Sequence, residues 1–270
     1  MMKDFSNLID KISFSNALTK NTLHKVYETI NDPQKELLSK TLKVYLLAAI
    51  SWSISLFSSI NWFVFPIISS LIVIYILLFY FKSPNFFKSA AYNSVTYLFT
   101  QNALIFYVSS LEISNSVLLN RAISMIYIIV GYSLSLYIVK IKLIENIQEI
   151  YLSENKQMVK KSIIKIVKIF SSVLVIFIAI LIAAMQFYRF NKWWLHDNNY
   201  NFLSGLNGSV VGNILSVVSV FIGISVLCLI TLLPTLLLNS KIVVDGFILK
   251  KYSEEFRKEY EFTKKEWYSD

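Results

Sequence analysis

Six long apolar stretches, near 43–59, 61–81, 94–111, 116–139, 166–187 and 209–230, are separated by short polar joints. A helix needs about 20 apolar residues to cross a hydrocarbon core about 30 Å thick, and each stretch is close to that length. Inside lipid the backbone must satisfy its own hydrogen bonds, which leaves helices as the natural form of such stretches. The pattern predicts an all-α integral membrane protein with six transmembrane helices and cytoplasmic helical extensions. Composition bears on the choice: 55% of residues are hydrophobic and 16% charged. That balance is too apolar for a soluble domain of this length. Six glycines and four prolines are few enough for mostly uninterrupted spans.

Charge sorting sets the orientation. All but three of the 26 basic residues (Arg121, Arg189 and Lys192) fall on one side of this six-span plan. The positive-inside rule makes that side cytoplasmic and puts both termini there. The formal charge of +9 is thereby explained by insertion and by anionic headgroups, and no nucleic-acid partner is expected. About 40 mostly polar residues precede the first stretch, so no cleavable signal is expected and span one should serve as a signal-anchor. Cys228 is the single cysteine, so no disulfide forms within the chain. Heavy use of Ile, Asn, Lys and Phe points to an AT-rich bacterial genome and hence to a bacterial plasma membrane.

Three parts follow. Residues 1–40 form a cytoplasmic amphipathic segment, with Phe5, Leu8, Ile9 and Ile12, then Leu23, Val26, Tyr27 and Ile30, at helical spacing. Helices of this kind are expected to lie along the membrane surface. Asp32-Pro33 reads as a helix start leading into span one. Residues 41–238 hold the six spans and a cytoplasmic helical hairpin near 140–165, with Ile141, Ile144, Ile147 and Tyr151 on one face. That hairpin either projects or lies flat on headgroups through its lysines. Residues 239–270 are a cytoplasmic tail whose Tyr252, Phe256, Tyr260 and Trp267 stand among balanced charges. They suit docking against protein, either the chain's own inner hairpin or a partner. Thr263 and Glu266 have capping-box spacing.

Chemistry is sparse. His24 and His196 fall on opposite sides of the membrane in this plan and cannot share a metal. HExxH, paired CxxC, GxSxG and phosphate-loop motifs are absent from the sequence, so neither cofactor nor catalytic residue is expected. Arg121 lies near the outer end of span four, with Glu112 as its expected ion-pair partner. Gln101 and Asn102 sit mid-span and must face helices or a water-filled cavity. They define a candidate polar cleft with Asn213. Small-residue rows, including Ser51, Ser55, Ser58 and Ser69, read as close helix packing. Pro234 is placed to kink the inner end of span six. The loop 189–208, with Trp193, Trp194, His196 and Tyr200, is either an interfacial aromatic belt or an outer recognition surface.

The leading expectation is a non-catalytic membrane protein that recognises another protein: a toxin- or bacteriocin-immunity factor, or an accessory subunit of a membrane complex. The alternative is the permease half of an ABC-type exporter served by a separate ATPase. In its six spans, inner termini and amphipathic N-terminal segment the chain resembles small ABC-2-type permeases. The 140–165 extension and the long tail depart from that plan.

Overall fold

The computed structural model describes residues 3–35, 37–56, 62–112, 115–152 and 226–268, with scattered helical positions between 164 and 176. The chain divides into two compact units, Met1–Ile164 with Thr231–Asp270, and Lys165–Ile230. The described residues are helical throughout, with no strand among them. In the second unit helical backbone is described at positions between 165 and 176 and at 226–230, and Ser172 Oγ donates back to the Lys168 carbonyl. Most of the fifth and sixth apolar stretches and the whole 189–208 loop lie outside the described residues.

The first unit begins with three helices, α1 (Lys3–Lys11), α2 (Phe14–Lys20) and α3 (Leu23–Lys35). Four longer ones follow: α4 (Leu37–Leu56), α5 (Val64–Phe81), α6 (Asn85–Ser109) and α7 (Val117–Ile147), the last prolonged by a π-helical turn at Gln148–Leu152. After the second unit come α8 (Pro234–Leu237), α9 (Ser240–Lys251), α10 (Ser253–Glu259) and α11 (Lys264–Tyr268).

Helix α5 has 18 residues and contains no charged one. A helix rises about 1.5 Å per residue, so α5 reaches about 27 Å, close to a hydrocarbon thickness. Val117–Leu152 has 36 residues. The same rise carries it about 54 Å, so that helix must emerge from the core at one end. These two helices are long and apolar enough to cross a membrane. Val226–Leu237 and Ser240–Lys251, bent by 50° at their break, make a third span if counted together. Two or three candidate spans among the described residues thus stand where the sequence predicts six. Two of the missing ones have a physical reason. The described part of α4 carries Lys40 and Lys43. Helix α6 carries Lys88, Gln101 and Asn102, and it is the interior helix of the bundle, with fourteen of its side chains buried. A helix enclosed by other helices is not selected for apolarity as a lipid-facing one is.

Helix α9 crosses α6 at very close range. A Cβ on Gly246 would collide with Ala90 Cβ and stand 3.2 Å from the Phe87 ring. Only glycine lets the two backbones approach this far. The direction change before α9 falls at Leu238–Asn239, where the Asn239 side chain caps the new helix by accepting from Ile242 N–H. The helical run from Val226 is also interrupted earlier, at Leu233, immediately before Pro234. Pro234 stands in the first turn of α8, where a proline needs no N–H partner.

Most of the apolar face of the N-terminal segment, expected at a membrane surface, is covered by protein. Leu8, Ile9, Ile12, Val26 and Ile30 are buried in one core with Ile144, Ile147, Tyr151, Val244, Ile248, Phe256 and Trp267, while Leu23 and Tyr27 stay exposed. Burial against protein removes the same apolar surface from water that a lipid interface would. The two ends of the chain and the far end of α7 therefore form one layer, here called the terminal layer. The helix start expected at Asp32-Pro33 is also displaced. Helix α3 continues through both residues, and α4 begins at Leu37.

Candidate functional site

Two sets of buried polar groups organise the first unit. At mid-height of the bundle, Asn102 is fully buried and bonded at both ends of its amide. Its Nδ2 donates to Ser51 Oγ of α4 at 2.6 Å and to Ser69 Oγ of α5 at 3.2 Å, and its Oδ1 accepts from Tyr132 of α7 at 2.5 Å. One side chain on α6 thus ties three neighbouring helices. Its neighbour Gln101 points about 100° away round the helix, as about 3.6 residues per turn require. Gln101 Nε2 donates to the Thr231 carbonyl at 2.8 Å, and Thr231 Oγ1 also bonds Tyr127. Gln101 Oε1 is buried and meets no hydrogen-bond donor among the described residues. Tyr97 and Ser135 make a further bond between α6 and α7.

In the terminal layer four side chains close a ring. Lys25 Nζ lies 2.7 Å from Asp245 Oδ2 and donates to Asn21 Oδ1 at 2.9 Å. Tyr151 donates to Asp245 Oδ1 at 2.5 Å, and Asn21 Nδ2 donates to the Tyr151 oxygen at 2.9 Å. The ring joins the α2–α3 junction, α3, the π-helical turn and α9. Burying a carboxylate is costly unless it is paired and hydrogen-bonded, and both Asp245 oxygens have partners. Such closed networks fix one arrangement of the elements that supply them.

Lysines finish the helix ends here. Lys251 Nζ donates to the carbonyls of Ile9, Asp10 and Ile12 at 2.9–3.0 Å, at the end of α1. Lys88 donates to the Tyr80 carbonyl at the end of α5, and burial pushes its pKa down. Lys142 donates to the Thr235 carbonyl of α8. A cation at a helix C-terminus satisfies orphan carbonyls and complements the dipole. Charges read from the sequence as topology signals are thus also structural caps.

The tail residues Tyr252, Phe256, Tyr260 and Trp267 face their own chain. Trp267 stacks on Phe86 at 5.2 Å between ring centroids, and its Nε1 donates to Ser253 Oγ. Phe256 packs edge-on to Phe14. The Tyr252 and Tyr260 hydroxyls donate to the carbonyls of Ile12 and Asn21. The surface they meet is α1, α2 and the start of α6. Thr263 and Glu266 form a reciprocal capping box at the start of α11. Glu261 takes the left-handed conformation, φ 56°, between α10 and α11. Its N–H and that of Phe262 bond the Lys258 and Arg257 carbonyls, the pattern of a Schellman motif. Hydrogen bonds from Arg257 and Tyr268 hold the Glu254 carboxyl at about 2, and bonds from Thr263 hold Glu266 low as well.

Of the sequence-derived candidates, Asn213, Trp193, Trp194, His196 and Tyr200 lie outside the described residues. Gln101 and Asn102 are adjacent but serve different partners. The outer clamp is corrected: Arg121 places its guanidinium 5.8 Å from the Trp62 ring. That is a cation–π contact, and no ion pair among the described residues joins Arg121 to Glu112. The buried face Ile141, Ile144, Ile147 and Tyr151 is covered by the chain's own helices, so α7 beyond Lys140 neither stands free nor rests that face on headgroups. Sequence reasoning missed the Lys25–Asp245 ring. The available signal was a lone carboxylate inside the apolar run Ile242–Leu249, where an acid requires a partner. Among the described residues no three His, Cys, Asp or Glu side chains gather as a metal site. No protein-family model matches the sequence, and no curated protein or solved structure matches it either.

Proposed function

We propose that the chain is a six-span bacterial plasma-membrane protein with both termini in the cytoplasm, acting by recognition of another protein without catalysis. Toxin or bacteriocin immunity, or an accessory role in a membrane complex, is the class of activity this fits. The observation that carries the reading is the mutual engagement of the buried polar groups. Asn102 holds four helices together through bonds to Ser51, Ser69 and Tyr132, and the Asp245 ring fixes the terminal layer. A bundle fixed this way is a scaffold that presents surfaces. The tail aromatics are taken up by the chain itself, with Phe256 and Trp267 fully buried. Recognition is therefore assigned to the outer loop, through Trp193, Trp194, His196 and Tyr200, since rigid aromatics are strong contact residues.

The test is cross-linking in native membranes followed by purification and identification of attached proteins. A partner captured by the wild type and lost from Trp193→Ala/Trp194→Ala/Tyr200→Ala supports the reading. The same partner retained by that variant counts against it. Capture of an ATPase at the cytoplasmic face would favour the exporter-permease alternative instead.

A further inference from the structure

A pocket of about 370 Å³ opens where α5 ends, α6 begins and α9 passes, all within the first unit. Its lining combines apolar surface from Tyr75, Leu78, Phe79 and Phe87 with the side chains of Lys82 and Lys250. No carboxylate is among the described lining residues, and neither lysine makes an ion pair with a described residue. Lys250 Nζ lies 5.7 Å from the Phe87 ring centre. That contact holds the ammonium over the apolar surface. Both lysines are exposed at the mouth. Helix α6 starts at this rim with no side-chain cap, which adds the positive end of its dipole.

The apolar surface is continuous with a stripe on α5. Ile67, Leu71, Ile74 and Leu78 follow one another at three- and four-residue spacing, and all are exposed. In a helix able to cross a membrane that stripe faces acyl chains, and its end at Leu78 is where a lipid headgroup would begin. Two unpaired ammonium groups beside an acyl-sized track match one occupant in both charge and shape.

We propose that this pocket is a binding site for an anionic phospholipid, with the phosphate between Lys82 and Lys250 and an acyl chain along Ile67, Leu71, Ile74 and Leu78. The site anchors the α5–α6 joint at the leaflet boundary and ties α9 to it. It rests on α5 crossing the membrane and not on the recognition reading.

Native mass spectrometry of the full chain, released from detergent after equilibration with equal amounts of phosphatidylglycerol and phosphatidylcholine, tests the proposal. The wild type should retain phosphatidylglycerol preferentially, and Lys82→Gln/Lys250→Gln should bind it roughly ten- to thirty-fold more weakly. Lys82→Arg/Lys250→Arg should restore binding, and Lys264→Gln/Lys265→Gln, the same charge change in the tail, should leave it intact. Equal retention by the pocket and tail variants would overturn the assignment, as would phosphatidylcholine bound as strongly as phosphatidylglycerol. Displacement of the lipid by millimolar inorganic phosphate alone would overturn it too, by showing that the acyl track contributes nothing. A chain that stays monodisperse without detergent and carries no lipid would overturn it through its premise, that α5 spans the membrane.

Discussion

Lys25 and Asp245 meet at 2.7 Å across the terminal layer, joining the third helix to the ninth. The carboxylate is the more deeply placed partner, with side-chain exposures of 34% for Lys25 and 11% for Asp245. Lys25→Ala should therefore be the harsher single change, because it strands a buried charge. Breaking a fully buried pair costs roughly 3–5 kcal/mol, and the partial exposure of Lys25 brings the expectation to about 2–3 kcal/mol. Thermal unfolding in detergent should show this loss, and Lys25→Met/Asp245→Leu should recover much of it. A double variant no better than Lys25→Ala would mean that the pair is not the coupled unit.

Gly246 is the tightest packing point. Gly246→Ala drives a methyl into Ala90 Cβ, so α9 must move off α6. Overpacking of this kind costs about 1–3 kcal/mol, and Ala90→Gly should relieve it in the double variant. The melting temperatures of the three variants check both statements.

Asn102→Ala removes the acceptor of Tyr132 and the donor to Ser51 and Ser69 at once. Hydrogen bonds between membrane helices are individually modest, so the expected loss is about 1–2 kcal/mol. Ser94→Ala loses only a bond to its own helix at the Ala90 carbonyl. It should change stability by less than about 0.5 kcal/mol. Unfolding by SDS titration separates the two.

Acid should release the tail late. The Glu254 and Glu266 carboxyls are both pushed below the ordinary 4.5, Glu254 to about 2, so their stabilisation requires the ionised form. That contribution is complete above pH 4.5 and disappears as pH falls through the folded value. Amide hydrogen exchange in 253–268, corrected for intrinsic rates, should show constant protection from pH 8 to 5 and declining protection from 4.5 toward 2. Protection that falls between pH 7 and 5 would contradict this assignment.

Helicity was legible because long apolar runs have few other solutions. Lipid exposure was less so: α6 reads as a span by its apolar runs, yet it is enclosed by protein and tolerates Gln101 and Asn102 for that reason. The three-and-four spacing of Leu8, Ile9 and Ile12 correctly marks a buried face, but amphipathicity does not distinguish lipid from protein as the surface that covers it. Ile141, Ile144, Ile147 and Tyr151 were legible as a face by the same spacing, while the helices covering it come from both ends of the chain. The Asp245 ring depends on contacts between residues far apart in sequence, which no local pattern encodes. The Thr263–Glu266 cap, by contrast, is local and could be read directly.

Placement of both chain ends in one layer is the claim on which the account most depends, and cysteine accessibility in intact cells tests it most directly. In a Cys228→Ser background, Lys11→Cys and Lys265→Cys, both at exposed positions, are each treated with a membrane-impermeant maleimide before and after lysis. The account predicts that both stay unlabelled in intact cells and that both label once the membrane is opened. Labelling of one site but not the other in intact cells would put the ends on opposite faces and contradict it.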